Sequence, residues 1–400
     1  MKILMLCGVF AKENEQEVIR QAKAPVEFSA NLFQEKLICG FRETFCDFTV
    51  LSAPFVGAFP TTSRMINFKG FKETPAGYHY VRFNNIWGLR NFSRAASLKR
   101  AVRSFADAPD EQKMILVYCT HTPFLEAAAY AKDRDPRIRI CLMVPDLPEY
   151  MNLRADRSRL YDFAKQYDIK KMHKLMACVD SFVLLTEQMK EALPVGDKPC
   201  RVVEGIIAQL PEPAKMDAAA EREKYIVYTG KMDGVFGVKS LVDSMSLLDD
   251  SDYRLVLCGQ GDSFDYALAA SKQDPRIMAL GQVSPETAAQ WQSRAAVLIN
   301  PRANVGEYTK YSFPSKNIEY LLSGKPVAAY MLDGMPDCYR DFIYEIESDV
   351  DAAASIAKAL RGAVEDNPQR KNAKHRDFLR YAQSRLTAQN IANMMMELCN

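Results

Sequence analysis

YTKYSFPSKNIEYLLSGKPVAA, residues 308–329, is the stretch whose reading decides the fold. Proline, glycine and an apolar stripe divide it into a turn, a helix, a second turn and a strand. Ser312 or Ser315 can cap the helix, and Pro314 stands where a first-turn proline is tolerated. Ile318, Leu321 and Leu322 recur at helical spacing, Gly324 ends the helix, and Pro326 follows the cap. PVAAYML then reads as a buried strand. The positive end of the helix faces a loop carrying Arg302 and Lys310, with Lys316 one turn inside. Amides at a helix start with cations around them make an anion site. Glu319, one turn further in, is badly placed to hold an anion and well placed to accept hydrogen bonds from a pair of sugar hydroxyls.

The same alternation extends outward in both directions. Before the stretch come the strands YIVYTGK (225–231), YRLVLCGQGD (253–262), RIMALGQV (276–283) and AVLINPR (296–302), with helix patterns at 237–248, 264–272 and 285–294. After it come helices at 351–365 and 374–398. The first half reads the same way: strands KILMLCGV, FTVLSAP, YHYVRF, MILVYCTHTPF and RIRICLMVPDLPEYM, then SFVLLT and RVVEG, with helices at 29–45, 92–108, 125–132 and 154–180. Alternating strands and helices indicate parallel sheets. Residues 210–224, LPEPAKMDAAAEREK, change to proline, alanine and charge and read as a linker. The fold class is therefore α/β, two doubly wound Rossmann-like domains facing a cleft.

Bulk properties narrow the class. Four hundred residues suit two domains, and 48% apolar content can build their cores. A net charge of +2 gives no electrostatic case for nucleic acid as a partner. Ten scattered cysteines without a Cys-x-x-Cys pair read as reduced, buried thiols of a cytosolic protein. Only four histidines occur, and metal-ligand spacing is missing. Asp133-Arg134-Asp135 looks like an Asp-x-Asp metal motif but follows a helix rather than a strand, so neither an essential metal nor a cofactor is expected. MKILMLCGVF reads as a first strand, not a signal peptide, and no apolar run is long enough to span a bilayer. Gly8 alone follows that strand, which disfavours dinucleotide binding and leaves room for an acceptor substrate at the strand edge.

Ser312-Phe313-Pro314-Ser315-Lys316, followed by Glu319, resembles the nucleotide-sugar site of retaining glycosyltransferases of family 4, the GT-B type, in its Ser-Phe-Pro-Ser-Lys branch. The resemblance covers residues 225–332 well and the first half loosely. It implies that Glu319 binds the donor ribose. Tyr311 stands where the family has a glutamate that touches the transferred sugar. Gly230-Lys231 takes the place of a Gly-Arg pair that binds the donor diphosphate, and Phe236 replaces a family lysine, leaving Arg302 and Lys316 to supply that charge. Gly259 lies in a strand-end turn of the donor domain, and the base is held near Val283. By the same resemblance, residues 1–209 bind the acceptor, 225–373 bind the nucleotide sugar, and a closing helix at 374–400 crosses back to the first domain. The implied activity moves a hexose from a donor, most simply a UDP-sugar, to a saccharide or lipid-linked saccharide with retention, in cell-surface polysaccharide synthesis.

Three residues of the first half could carry acceptor chemistry. His121 ends a strand and can hydrogen-bond a sugar, or be structural. Asp146 and Glu149 end the next strand and could orient or deprotonate an acceptor hydroxyl, or cap the following helix. The basic helix 154–174 is either a solvated face or a dock for anionic lipid, which would put a cytoplasmic protein at the inner face of the plasma membrane. Two other classes remain open: an epimerase or hydrolase of sugar nucleotides, and a non-catalytic nucleotide-sugar sensor or partner subunit.

Overall fold

Apolar runs of five or six residues with no polar alternation can only be strands buried on both faces, and Ile3–Cys7, Met114–Tyr118 and Ile140–Val144 are such runs. A computed structural model describes residues 1–24, 26, 28–72, 74–109, 112–150, 159–211, 224–348 and 351–399, with the backbone alone at 159–164. The chain divides into two units, one formed by Met1–Ala208 with Arg385–Asn400 and the other by Gln209–Ser384. Most of the 210–224 linker therefore lies outside the described residues.

The first unit holds strands β1 (Lys2–Cys7), β2 (Phe48–Ser52), β3 (Asn67–Phe68), β4 (Tyr78–Tyr80), β5 (Phe83–Asn84), β6 (Lys113–Tyr118), β7 (Arg139–Val144), β8 (Ser181–Leu184) and β9 (Cys200–Val202). Its helices are α1 (Glu15–Gln21), α2 (Ser29–Thr44), α3 (Arg90–Ala106), α4 (Thr122–Arg134), α5 (Arg159–Leu175) and α6 (Met189–Ala192). Seven strands form one parallel sheet in the order β4-β2-β1-β6-β7-β8-β9, and β3 pairs with β5 in a separate antiparallel ribbon. The helix read at 154–180 is described from Arg159 and ends at Leu175, where a short 3-10 turn takes over. Its first residues, Arg154 and Arg157 among them, lie outside the described residues.

The second unit holds β10 (Lys224–Thr229), β11 (Tyr253–Cys258), β12 (Ile277–Gly281), β13 (Val297–Asn300), β14 (Val327–Ala329) and β15 (Tyr344–Glu345), in the parallel order β12-β11-β10-β13-β14-β15. Between and after them run α7 (Val238–Ser244), α8 (Phe264–Gln273), α9 (Pro285–Arg294), α10 (Ser315–Leu322), α11 (Ala352–Glu365) and α12 (Pro368–Arg385). Both units are doubly wound. Strand order reverses between β1 and β6 in the first and between β10 and β13 in the second, and such switch points are where open α/β sheets receive ligands.

The closing segment is two helices, not one. Leu386 and Thr387 break it between α12 and α13 (Ala388–Glu397). There the backbone pairs with the first unit: Ile207 N–H donates to Leu386 O, and Ala388 N–H donates to Ile207 O. Thr387 then caps α13 by accepting from Asn390 N–H. A proline-free helical pattern hides this break, because the bonds that pull the chain out come from residues 180 positions away.

Helix α13 packs on α2 at Gly40, where an added Cβ would stand 2.2 Å from Ala388 O. Neither backbone can yield without shifting a helix. Gly40→Ala should destabilise the chain, since overpacking costs about 1–3 kcal/mol and exceeds the ~1 kcal/mol alanine gains in helix propensity. Urea denaturation checks the sign: a midpoint at or above wild type would mean that the helices separate freely.

Candidate functional site

Glycines bring the strand ends of the second unit into backbone contact. An added Cβ on Gly259 would sit 1.7 Å from Gly230 O, and one on Gly237 would sit 2.0 Å from Pro301 O. Gly237 also has φ +73, so the turn after β10 needs glycine twice over. Gly230 N–H donates to Cys258 O at 2.9 Å and Gly259 N–H to Gly281 O at 2.7 Å, which holds the ends of β10, β11 and β12 in one layer. Gly230 and Gly259 are thus structural crossing points. Lys231 follows at the exposed turn, and Val283 lies half-buried in the loop between β12 and α9.

Helix α10 is fixed to this layer by a residue that sequence reasoning passed over. Tyr320 is fully buried; its hydroxyl accepts from Thr229 N–H at 2.9 Å and donates to Thr229 O at 3.2 Å. Gln292 of α9 adds a second tie, donating from Nε2 to Thr229 Oγ1 at 2.9 Å and to Glu319 Oε1 at 2.8 Å. A buried Asn300–Asn317 hydrogen bond at 2.7 Å joins β13 to the same helix. Nothing in the spacing of Gln292, Asn300 or Thr229 announces these partners. Tyr320 gave one signal, an aromatic polar residue on the apolar face of a short helix.

The start of α10 differs from the sequence expectation. Neither serine caps it; Pro314 is the N-cap residue, with no side-chain cap. Ser312 is instead engaged by Arg302, whose Nη2 donates to Ser312 Oγ at 2.9 Å. Phe313 and Pro314 are buried, and the Phe313 ring meets Tyr339 edge-on at 5.0 Å, so Phe313 anchors the turn in the core instead of facing a ligand. Tyr311 closes the 3-10 turn Glu307–Tyr311 and is half-buried. Ser315 is exposed at the helix start, where Asn317 N–H donates to Pro314 O at 2.8 Å and the amides before it have no acceptor within the helix.

Cations surround those amides. Arg302 is half-buried, its guanidinium 5.9 Å from the Phe236 ring and 5.4 Å from the Tyr308 ring, and desolvation lowers its pKa. Its Nε is buried with no hydrogen-bond partner. Lys316 reaches back to the β10 end, its Cε 3.1 Å from where a Gly230 Cβ would be. Glu319 is exposed, with 54% of its side chain accessible, which corrects the expectation of partial burial. Its neighbours Ile318 and Tyr320 point inward, and at helical spacing that turns residue 319 out. Gln292 and, at 4.0 Å, Lys316 hold the carboxylate.

The first unit's switch point carries different chemistry. Gly8 donates its N–H to Gln34 Oε1 at 2.9 Å, but an added Cβ would lie 2.4 Å from the Phe55 ring. The room expected there for a substrate is filled by Phe55. His121 is the N-cap residue of α4, between Phe55 and Phe124, with Nε2 buried and unpartnered. Burial, then Arg94 and Arg90, hold its pKa well below the ordinary value. Asp146 follows the neighbouring strand β7; it keeps contact with solvent, yet desolvation raises its carboxyl to about 6. Glu149 turns away to α5, with Oε1 3.5 Å from His173 Nε2. Asp135 of the Asp-x-Asp pattern pairs with buried Lys113 at 2.7 Å and with Arg137. No cluster of metal-ligating side chains occurs among the described residues.

Residues 223–366 match the family model described as glycosyl transferases group 1. No curated protein sequence matches the chain. Among solved structures, sucrose-phosphate synthase from Thermosynechococcus elongatus aligns with a TM-score of 0.64 at 14% identity, covering 100% of this chain and 98% of that one. Anabaena Alr3699/HepE in complex with UDP aligns at 0.60 and 13% identity, covering 99% of each chain. The lipopolysaccharide outer core galactosyltransferase WaaB aligns at 0.57 and 14% identity, covering 96% of this chain and 100% of that one. These likenesses give the fold, two Rossmann-like units of the GT-B kind, and the family match over residues 223–366 supports a glycosyltransferase enzyme.

Tyr320→Phe removes the hydroxyl that serves both backbone groups of Thr229. It should cost about 1–3 kcal/mol, the usual penalty for a buried donor left unsatisfied. Chemical denaturation reads the loss; an unchanged midpoint would show that the clamp carries no weight.

Proposed function

We propose that the chain transfers a hexosyl group from a UDP-sugar to a saccharide or lipid-linked saccharide acceptor with retention of configuration, as in family 4. One observation carries the reading: Arg302, Lys316 and the amides opening α10 converge at the β10–β13 switch point, and Arg302 Nε has no protein partner. The diphosphate of a nucleotide sugar is a dianion that would satisfy all three, and the nucleoside diphosphate left behind carries one more negative charge. HepE, of similar fold, was solved with UDP. As the bond to the sugar breaks, negative charge grows on the departing phosphate. Cations and amides already fixed in place stabilise that charge without reorganising, usually the largest single contribution to catalysis. Lys231, at the neighbouring turn, adds to it.

The position where the family has a lysine holds Phe236, whose ring lies beside Arg302. Arg302 supplies from the end of β13 the charge that Phe236 lacks, alongside Lys231 in the turn after β10. Glu319, steadied by Gln292, accepts from the ribose hydroxyls, and Tyr311 offers a phenol to the sugar where the family has a carboxylate. His121 and Asp146 serve the acceptor side, with Asp146 taking the proton of the attacking hydroxyl. The site needs no cofactor. Synthesis of cell-surface polysaccharide is the setting we infer.

Isothermal titration with UDP tests the reading. Glu319→Ala should weaken binding by about 1.5–3 kcal/mol, roughly 10- to 150-fold, and Arg302→Ala and Lys316→Ala should do likewise. Wild-type protein that ignores UDP overturns the proposal. Binding with no transfer to any acceptor would assign a nucleotide-sugar sensor instead.

Asp146 gives a pH signature. Its folded pKa is raised to about 6, so the base form is lost as pH falls through that value. kcat/KM should drop below about pH 6, and Asp146→Asn should lower the plateau and erase that limb. A profile flat from pH 5 to 8 excludes Asp146 as the base.

A further inference from the structure

The net charge of +2 conceals a strongly uneven distribution. Residues 57–106 contain nine lysines and arginines, of which Arg94 is buried, and a single acid, Glu73. The same segment exposes large apolar side chains. Of the fourteen exposed large hydrophobics among the described residues, four are Ile66, Trp87, Leu89 and Phe92, accessible at 47%, 54%, 56% and 72%. Backbone bonds draw them together. Asn85 N–H donates to Ile66 O, Trp87 N–H to Phe59 O, and Leu89 and Arg90 N–H both to Ile86 O. The result is one tip formed by the β3–β5 ribbon and the first turn of α3.

We propose that this tip docks the first unit onto a lipid bilayer bearing anionic headgroups. Trp87, Leu89 and Phe92 are the residue types that enter the boundary between headgroups and acyl chains. The charge around them has the complementary sign. Arg90 occupies the first turn of α3, which has no acidic residue there. Phe92, Ala96 and Arg100 follow at helical spacing on one exposed face, with Arg103, paired with Asp107 at 3.5 Å, beyond them. Lys23 adds to the other side, donating to Pro60 O beside Phe59.

The acids packed nearby lie toward the middle and far end of α3. Glu126 pairs with Lys99 at 2.5 Å, and Asp107, about 25 Å from the start of α3, pairs with Arg134 and, at 3.5 Å, with Arg103, while Glu13 and Glu15 act on Glu35 of α2. A neutral partner would leave the cations without purpose, and a polyanion such as nucleic acid would leave the aromatic tip in water. The inference is independent of the donor site. It assigns contact to this tip, where Trp87, Leu89 and Phe92 are exposed together, instead of the basic helix 154–174.

The chain has two tryptophans, Trp87 and Trp291, which makes the test direct. In Trp291→Phe, Trp87 is the sole emitter. Vesicles of phosphatidylcholine with about one third phosphatidylglycerol should shift its emission to the blue and bind at least about tenfold better than pure phosphatidylcholine, less so at high salt. Trp87→Ser/Phe92→Ser, both at exposed positions, should lose sedimentation with the vesicles while keeping the wild-type melting temperature. Lys170→Glu/Lys174→Glu should still sediment. Emission that stays put with anionic vesicles, or a Trp87→Ser/Phe92→Ser protein that sediments like wild type, overturns the proposal.

Discussion

Two peptide groups occupying the same crossing leave no room for a side chain, and the second unit is arranged around that constraint. Gly230 O stands 1.7 Å from where any Cβ of residue 259 would be, and Pro301 O stands 2.0 Å from that of residue 237. With the strand ends so close, α10 can reach β10 directly, and Tyr320 ties Thr229 from inside the core. Arg302 is held by the Ser312 hydroxyl and by the Phe236 and Tyr308 rings, and Lys316 lies against Gly230. Groups ordered beforehand in this way would meet an anion at low entropic cost.

Lys113 and Arg302 are two different kinds of buried cation. Lys113 is fully enclosed, paired with Asp135 at 2.7 Å, and donates to the carbonyls of Ala106 and Ala108. Such a lysine is complete and has nothing left to offer. Arg302 has a hydroxyl and two aromatic rings but an unpartnered Nε, and desolvation already disfavours its charge. A buried donor without an acceptor is costly, so it persists where an occupant relieves it. His121 follows the same logic in the first unit: neutral, enclosed by rings, with one ring nitrogen unused.

The fold was legible because it rests on periodicity. Unbroken apolar runs separated by amphipathic helices give parallel sheets, and the 285–294 helix coincides with α9. The cation set was legible too, since Arg302 and Lys316 flank a helix start in the chain itself. What escaped were contacts set by the third dimension. Gln292 meets Glu319 from another helix, Phe55 occupies the space beside Gly8, and Ile207 breaks the closing helix from far upstream. The serine cap was misread for the same reason: Ser312 was claimed by Arg302, ten residues earlier, before it could serve the helix.

Average charge is a poor guide to what a surface does, and this chain shows why. Electrostatic potential near a surface falls off within about 8–10 Å at ordinary ionic strength, so a partner feels the local excess and not the total. The nine basic residues against one acid over residues 57–106 include buried Arg94, and Lys99 and Arg103 meet Glu126 and Asp107, so the local excess is concentrated toward the tip. The same reasoning applies at the start of α10, where Lys316, Arg302 and the helix amides act together while Glu319 faces Gln292. A near-neutral protein can therefore carry two strongly positive places at once. What distinguishes them is their surroundings: one lies against the backbone at the start of α10 and the end of β10, the other is a ridge of exposed aromatic and basic side chains.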